Sequence, residues 1–275
     1  MGTLYLVATP IGNLEDLSPR AVRILREARL IAAEDTRQTQ KLLSHFDIHT
    51  RLTSYFEHNK LTKLDSVLAT LNEGDVALVS DAGTPAINDP GYELVRAALA
   101  SGFDVRPVPG PSAPIAALTV SGLPTDAFLY LGFLPRKSSE RHQFLSQVAD
   151  LPYTLIFFEA PHRLLDSLDD ILAVLGDRSI AVARELTKLH EEVFRGKVSA
   201  ARAYFTEPRG EFVLIVEGMK ETESGKWAEE KLMAAIKNDR KIGKSAKDIA
   251  SELAPISGWN KRDIYALVTL SDKEN

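Results

Sequence analysis

Residues 76–91, VALVSDAGTPAINDPG, join a short β-branched apolar run to a loop rich in glycine, proline and small polar side chains. Such a run, ending in such a loop, predicts a buried strand followed by a turn. The same arrangement recurs at 5–13 (YLVATPIGN) and at 105–113 (VRPVPGPSA). Ligands of open α/β sheets bind outside the carboxyl ends of the strands, so the three loops predict one shared binding crevice.

Outward from these loops, short apolar runs alternate with amphipathic segments as far as about residue 218. The pattern predicts strands at 5–8, 76–80, 105–108, 130–133, 154–158, 180–183 and 212–216. It predicts helices at 19–29, 61–72, 89–101, 140–148, 162–175 and 199–205. Alternation of this kind is typical of an α/β fold whose sheets are mostly parallel and covered by helices.

We expect three domains: an α/β domain over 1–118, a second α/β domain over 119–220 and a small helical domain over 226–275. The uncharged stretch 107–125 marks the first boundary. Its five prolines exclude a membrane-spanning helix, and we expect loops that flank a short helix there. The polar segment 219–227, MKETESGKW, predicts a linker.

The segment after this linker is helical in pattern, with short helices predicted at 228–237, 245–254 and 261–270. Ser245 is a plausible N-cap, with Asp248 three positions later in a capping-box arrangement. Residues 237–247 carry a net charge of +4. Two interpretations stay open: a helix-turn-helix-like module that binds nucleic acid, and a solvated three-helix cap.

Composition excludes several classes of protein. The chain has 275 residues, a formal net charge of −5 and no cysteine. It therefore has no disulfide framework, thiolate metal site or cysteine nucleophile, and its charge argues against a protein that coats nucleic acid non-specifically. No basic region precedes the first apolar run, so we expect no targeting segment and a cytoplasmic location.

The motifs also restrict the ligand. No G-x-G-x-x-G occurs, and the Gly243-Lys244-Ser245 run has Asn238 where a phosphate-binding loop needs glycine. There is no ordinary G-x-S-x-G elbow. His45 and His49 stand four apart in a segment better explained as structural, and no metal is indicated. A nucleoside with a charged, phosphate-free tail fits the three loops.

Eight strings resemble, in order, the small-subunit ribosomal RNA methyltransferases of the tetrapyrrole-methylase superfamily. They are LVATPIGNLEDL, AAEDTR, SDAGTPAINDPG, PVPGPSA, GFLPRK, FFEAPHR, ARELTKLHEE and GEFVLIVEG, spread over residues 3–218. The resemblance implies a homodimer of two α/β domains with S-adenosylmethionine in the cleft between them. It also implies 2′-O-methylation of a cytidine ribose in the decoding region of 16S ribosomal RNA.

Departures from the porphyrin and corrin branches weaken a tetrapyrrole substrate. Their first loop is of G-x-G-P-G type, whereas this chain has Ala8 and Ile11 at two of the glycine positions. Their second loop resembles S-G-G-D-P, which differs from the Ser80–Pro85 segment here. A tetrapyrrole methyltransferase stays an alternative, as does a non-catalytic RNA-binding protein that senses a metabolite.

The resemblance assigns cofactor contacts to two groups of residues. From the first domain these are Pro10, Asp81, Ala82, Gly83, Pro85, Ser112 and Ala113. Asp81 offers acceptors to ribose hydroxyls or an ammonium group, although it also fits a plain turn. The second domain adds Phe158, Leu186 and Phe212, which we expect to close over the adenine unless they are ordinary core.

Candidates for chemistry and for RNA contact come from the charged strings. Possible proton acceptors for the ribose hydroxyl are Glu159, His162 and Glu185, with Lys188 as an orienting cation. Predicted RNA contacts are Arg136, Lys137, Arg163, Arg184, Lys241, Lys244 and Lys247. Alternating charges also suit a surface salt-bridge network or a solvated loop, and those interpretations stay open.

Overall fold

The computed structural model describes residues 2–56, 60–219, 227 and 229–271. Its strands are β1 (Thr3–Val7), β2 (Leu30–Ala33), β3 (Leu52–Ser54), β4 (Val76–Val79), β5 (Asp104–Val108), β6 (Phe128–Phe133), β7 (Thr154–Glu159), β8 (Ser179–Arg184), β9 (Glu192–Lys197) and β10 (Phe212–Val216). Its helices are α1 (Pro19–Glu27), α2 (Thr36–His45), α3 (Lys60–Leu71), α4 (Tyr92–Ala100), α5 (Ala113–Ser121), α6 (Ser138–Val148), α7 (Leu164–Leu175), α8 (Val198–Tyr204), α9 (Glu229–Lys241), α10 (Ala246–Ser257) and α11 (Lys261–Ser271).

The chain divides into two compact units, Met1–Glu217 and Gly218–Asn275. The first unit contains a five-stranded sheet of order β3-β2-β4-β1-β5, in which every pair of neighbours is parallel. Because side chains alternate along a strand, Ile31 packs among α1 and α2 whereas Leu30 packs among α3 and α4. Helices thus cover both faces, as the fully buried strands β2 and β4 require.

A second five-stranded sheet has the order β6-β7-β10-β8-β9. Phe157 on β7 packs with the helices α6, α7 and α8, whereas Ile156 packs with α5 on the opposite face. Only β6 and β7 are parallel; β7–β10, β10–β8 and β8–β9 are antiparallel. The expectation of mostly parallel sheets is therefore correct for the first sheet and wrong for the second.

All seven predicted strands form, but β2, β3, β9 and the helix α2 were not predicted. β2 and β3 have only four and three residues, too few for a periodic signal. β9, with the sequence EVFRGK, is a charged edge strand, a common way to block unwanted pairing. The proline-rich stretch 107–125 forms the end of β5, a loop and the nine-residue α5.

The second unit consists of α9, α10 and α11 around an apolar core that includes Leu232, Ile249 and Ile264. The Ser245 hydroxyl caps α10 by accepting a hydrogen bond from the Asp248 N–H, as predicted. α10 runs through Pro255 to Ser257, and the Gly258 that caps its end has a φ of +65°, which suits glycine. The predicted linker, except for Met219 and Trp227, lies outside the described residues.

Over the described residues, no helix combines the length and the apolar composition that crossing a bilayer requires.

The two sheets of the first unit lie on either side of α5 in the sequence. The proposed division at residues 118 and 119 cuts through α5 itself, and it stays a prediction.

Candidate functional site

A cavity of about 430 Å³ opens in the first unit where loops of the first sheet meet the second sheet. Loops that follow β1, β4 and β5 supply one side, and residues of β7, β8 and β10 or just beyond them supply the other. Its volume lies in the usual range for small-molecule sites. The three loops singled out from the sequence therefore do converge, at the carboxyl ends of three neighbouring parallel strands.

Backbone contacts hold these loops together. Thr9 and Gly83 form an isolated antiparallel bridge, with N···O distances of 2.9 and 3.0 Å. The Thr84 hydroxyl donates to the Pro111 carbonyl at 3.2 Å, which ties the second loop to the third. Gly83 has φ +80°, a conformation that disfavours other residues. The cavity floor is therefore built from fixed backbone.

One wall of the cavity is acidic, with the carboxylates of Glu34, Asp81 and Asp89. Burial raises the pKa of all three, most for Asp89, whose pKa reaches about 6 under the added repulsion of Glu34. Asp81 accepts a hydrogen bond from the Asp35 N–H, and its own N–H donates to Glu34 at 3.3 Å. A wall of this kind favours a cationic ligand.

The opposite wall is apolar, with Phe158, Leu186 and Phe212 among its side chains. Leu186 lies between Glu185 and Thr187, whose φ values of +49° and +66° are unusual for residues other than glycine. A Cβ added to Gly12 would lie 2.5 Å from Lys188 Cγ, so the loop after β1 packs directly on this segment. The strained turn thus holds Leu186 at the cavity.

Eight of the ten residues predicted to bind a cofactor line the cavity: Asp81, Ala82, Gly83, Ser112, Ala113, Phe158, Leu186 and Phe212. Pro10 and Pro85 do not line it. Pro85 is buried behind the surface loop, and Pro10 follows Thr9 in the bridge that joins the loops. Both prolines shape the backbone, whereas their side chains do not face the cavity.

Glu159 reaches the cavity, but its carboxylate is already engaged. It accepts hydrogen bonds from the Ala160 N–H at 2.8 Å and the buried Ser167 hydroxyl at 2.5 Å, and Arg163 Nε lies 3.3 Å away. The residue is only 2% exposed. These bonds occupy both carboxylate oxygens, so the geometry favours a structural role over that of proton acceptor.

The other predicted catalytic residues lie outside the cavity lining. Lys188 Nζ is 3.0 Å from Glu185 and 3.1 Å from Glu211, and these hydrogen bonds lower the pKa of Glu185 and raise that of Lys188. Both groups therefore stay charged and paired at neutral pH. His162 is exposed and follows Pro161, which lines the cavity. Among the residues that the structure describes, the His162 imidazole has no hydrogen-bond partner.

Two of the predicted RNA contacts make hydrogen bonds to other residues of the protein. Arg163 donates to the Leu134 and Pro135 carbonyls, and Arg184 donates to the Arg209 carbonyl and to Glu192. Arg136 and Lys137 are exposed, with Lys137 paired to Glu140 at 3.0 Å.

The remaining predicted RNA contacts belong to the second unit. Lys244 is paired with both Asp239 and Glu252, which reduces the charge it offers to RNA. Lys247 is exposed. Lys241 ends α9, but its side chain lies outside the described part.

Sequence reasoning missed several cavity residues, notably Glu34, Asn88, Asp89 and Phe133. Glu34 follows β2, the short strand that the apolar pattern did not reveal, although it stands in the AAEDTR string. Asn88 and Asp89 belong to the quoted 76–91 loop, where only the first half was assigned a role. Phe133 ends β6, and an apolar residue at the end of a predicted strand carries no local sign that it will be exposed at a cavity.

Comparison with known proteins agrees with this architecture. A sequence profile for tetrapyrrole (corrin/porphyrin) methylases matches residues 3–202. The chain belongs to the tetrapyrrole methylase family. The matched region covers the first sheet and strands β6 to β9 of the second, and it ends within α8. Of the residues that line the cavity, Glu211, Phe212 and Val213 lie beyond it.

Within the family, the chain is similar over almost its whole length to proteins named "Ribosomal RNA small subunit methyltransferase I". It is 51% identical to that of Halalkalibacterium halodurans over 96% of this chain and 93% of the relative. It is 48% identical to that of Escherichia coli O157:H7, again over 96% and 93%. The similarity extends through the helical C-terminal unit, which the family profile does not cover.

Two solved structures share the fold at low sequence identity. Diphthine synthase superposes with a TM-score of 0.64 at 14% identity, over 79% of this chain and 90% of that one. Uroporphyrin-III-C-methyltransferase from Thermus thermophilus gives a TM-score of 0.54 at 20% identity, over 79% and 92%. At these identities, the likeness supports the fold and leaves the substrate to other arguments.

Proposed function

We propose that this protein is a methyltransferase that transfers the methyl group of S-adenosylmethionine to small-subunit ribosomal RNA. The acceptor is the 2′-oxygen of a cytidine ribose in the decoding region of 16S RNA. The observation that carries the proposal is 43–51% identity over nearly the full chain to relatives named for that RNA. We further propose that the protein is cytoplasmic and that it forms a homodimer.

The chemistry of the cavity fits S-adenosylmethionine. Its sulfonium and ammonium groups are cationic, and Glu34, Asp81 and Asp89 present carboxylates to the same space. Ser112 precedes α5 without capping it through its side chain, which leaves its hydroxyl and the first helical amides for a carboxylate. Phe158, Leu186 and Phe212 offer an apolar surface to the adenine ring.

When bound, the sulfonium supplies an electrophilic methyl group. The protein must then hold the ribose hydroxyl in line with that group and exclude water, since alignment accounts for much of the rate of such transfers. Fixed backbone on one side and the apolar wall on the other suit both tasks. A proton acceptor near the hydroxyl assists further.

Among the four predicted catalytic residues, we propose His162 as that acceptor. Glu159, Glu185 and Lys188 are each held in internal ion pairs, whereas the His162 imidazole is exposed beside the cavity-lining segment. Glu185 and Lys188 then act at a distance, by holding the turn that positions Leu186. RNA affinity comes from phosphate contacts and should fall steeply as salt rises.

The proposal is tested by transfer of labelled methyl from S-adenosylmethionine to small ribosomal subunits, naked 16S RNA and a corrin precursor in parallel. We expect label in RNA, recovered after alkaline hydrolysis as a resistant dinucleotide, because a methylated 2′-oxygen cannot attack the adjacent phosphate. Label confined to the corrin precursor would make the protein a tetrapyrrole methyltransferase. Tight cofactor binding without any transfer would indicate a metabolite sensor. Size-exclusion chromatography with light scattering tests the homodimer.

A further inference from the structure

Phe133 places an aromatic ring at the mouth of the cavity. It ends β6, lines the cavity and is nevertheless 54% exposed. Its ring packs against Phe158 with centroids 5.4 Å apart, and Phe158 packs in turn on Tyr130 at 5.3 Å. An aromatic side chain supported from behind and open in front has the form of a stacking surface.

The backbone after Phe133 is held by two guanidinium groups. Arg163 donates to the Leu134 and Pro135 carbonyls at 2.5 and 3.0 Å. Arg141, only 3% exposed, donates to the Pro135 and Arg136 carbonyls at 3.1 and 3.2 Å. Two arginines on three successive carbonyls leave this segment little freedom, so Phe133 is fixed before any ligand arrives.

An amide lies beside this ring. Asn88 lines the cavity with φ +62°, and a Cβ added to Gly132 would lie 2.6 Å from Asn88 Nδ2. The glycine therefore allows the Asn88 side chain to reach the residue next to Phe133. Within the described ranges, this amide makes no hydrogen bond. It offers a donor and an acceptor together, as the edge of a nucleobase requires.

Charge separates the inside of the cavity from its rim. The carboxylates of Glu34, Asp81 and Asp89 repel a phosphate group from the interior of the cavity. Three residues beyond Phe133, Arg136 is exposed, and its guanidinium has no ion pair among the residues the structure describes. A nucleotide that enters base first therefore meets cationic charge where its phosphate stays outside.

We infer that Phe133 and Asn88 form the subsite for the base of the target nucleotide, with Arg136 next to the adjoining phosphate. The inference rests on the proposed function and deepens it. RNA is read most readily where bases are unstacked, and enzymes that act on one nucleotide take it out of its stack and place it against aromatic side chains. Stacking on Phe133 replaces the stacking on a neighbouring base that the target base has lost. The Asn88 amide forms hydrogen bonds to the edge of that base.

The test measures the KM for small ribosomal subunits and the Kd for S-adenosylmethionine in matched variants. Phe133→Ala and Phe133→Leu should raise the KM about 5- to 150-fold, the range for losing one base–aromatic stack. Phe133→Trp should retain the KM of the unsubstituted protein, because it keeps an aromatic face. Asn88→Gly keeps the left-handed backbone while removing the amide, and it too should raise the KM.

The control is Phe128→Ala, which removes a 37% exposed phenylalanine from the other end of β6 and should leave the KM unchanged. The Kd for S-adenosylmethionine should stay within about twofold in every variant. Methyl transfer by the unsubstituted protein together with an unchanged KM for Phe133→Ala, or an equal loss of cofactor affinity, would overturn this inference alone. Absence of methyl transfer to RNA by the unsubstituted protein would overturn the proposed function and this inference with it.

Discussion

Asp81 accepts a hydrogen bond from the backbone N–H of Asp35, with 2.9 Å between Oδ1 and N. The two residues follow β4 and β2, which are neighbouring strands of the first sheet. One carboxylate oxygen therefore braces the ends of two strands, and the side chain also lines the cavity. The same aspartate has a structural partner and a position for ligand contact.

Replacement of Asp81 tests its contact with the cofactor. Asp81→Ala should reduce S-adenosylmethionine affinity by about 1.5–3 kcal/mol, roughly 10- to 150-fold, because hydrogen bonds to charged groups fall in that range. Isothermal titration calorimetry measures the change. Asp126→Ala, at an exposed loop position, is the control. An unaltered affinity in Asp81→Ala would remove this residue from the cofactor site.

The ionised Asp89 side chain lowers the free energy of unfolding in a pH-dependent way. Burial and the nearby Glu34 raise its pKa from 3.8 to about 6. A raised carboxyl pKa means that its contribution to stability is fully present below pH 4 and is lost as the pH rises through 6. Asp89→Asn should thus leave the free energy of unfolding unchanged below pH 4 and raise it at pH 7. The gain should be of order 1 kcal/mol after allowance for solvent screening.

Urea unfolding at a series of pH values measures this difference. Asn keeps the shape and an acceptor oxygen, so the comparison isolates the charge. Asp126→Asn, at an exposed loop position, should show no such pH dependence. A difference between Asp89→Asn and the unsubstituted protein that stays constant from pH 4 to 7 would contradict the assignment of the raised pKa to Asp89.

Arg141 should be needed for stability. Its Nη2 lies 2.5 Å from Asp170 Oδ2, with the two side chains 4% and 13% exposed. Removal of one partner from a buried pair leaves an uncompensated charge, so Arg141→Met should lower the free energy of unfolding by about 3–5 kcal/mol. Lys137→Met breaks an exposed pair and should cost less than about 1 kcal/mol. Equal effects in chemical unfolding would refute the distinction.

His162→Ala tests the proton acceptor. If His162 accepts the proton of the ribose hydroxyl, its loss should reduce kcat at least ~100-fold while S-adenosylmethionine affinity stays intact. Glu159→Gln should instead weaken folding, because its carboxylate accepts bonds from Ser167 and Ala160. Single-turnover rates and thermal unfolding separate the two effects. An unchanged kcat in His162→Ala would mean that alignment alone carries the rate.

Deletion of residues 222–275 tests the helical C-terminal unit. The first unit has its own apolar cores, so the truncated protein should fold and bind S-adenosylmethionine with unchanged affinity. Its affinity for small ribosomal subunits should fall, since exposed cations such as Lys247 are removed. Filter binding at several salt concentrations measures the loss. Equal RNA affinity would show that this unit is a stabilising cap.

Local sequence patterns were sufficient for much of the fold. Apolar runs such as 76–79 predict strands because burial on both faces requires continuous hydrophobic side chains. The Ser245–Asp248 cap was also predictable, because its hydrogen bond joins residues three apart. β2 and β9 were not, since one is four residues long and the other gains its place only by pairing with β8.

The sequence by itself determined the α/β class, the three loops of the cavity and eight of the ten residues it assigned to the cofactor. These features follow from short-range chemistry: strand periodicity, glycine and proline in turns, and caps. Only the tertiary structure decided the antiparallel pairs of the second sheet and the ion pair between Arg163 and Glu159. It alone brought Glu34, Asn88 and Phe133 to one cavity. Such outcomes depend on which distant segments meet, and a charged or aromatic side chain carries no local sign of its eventual neighbour.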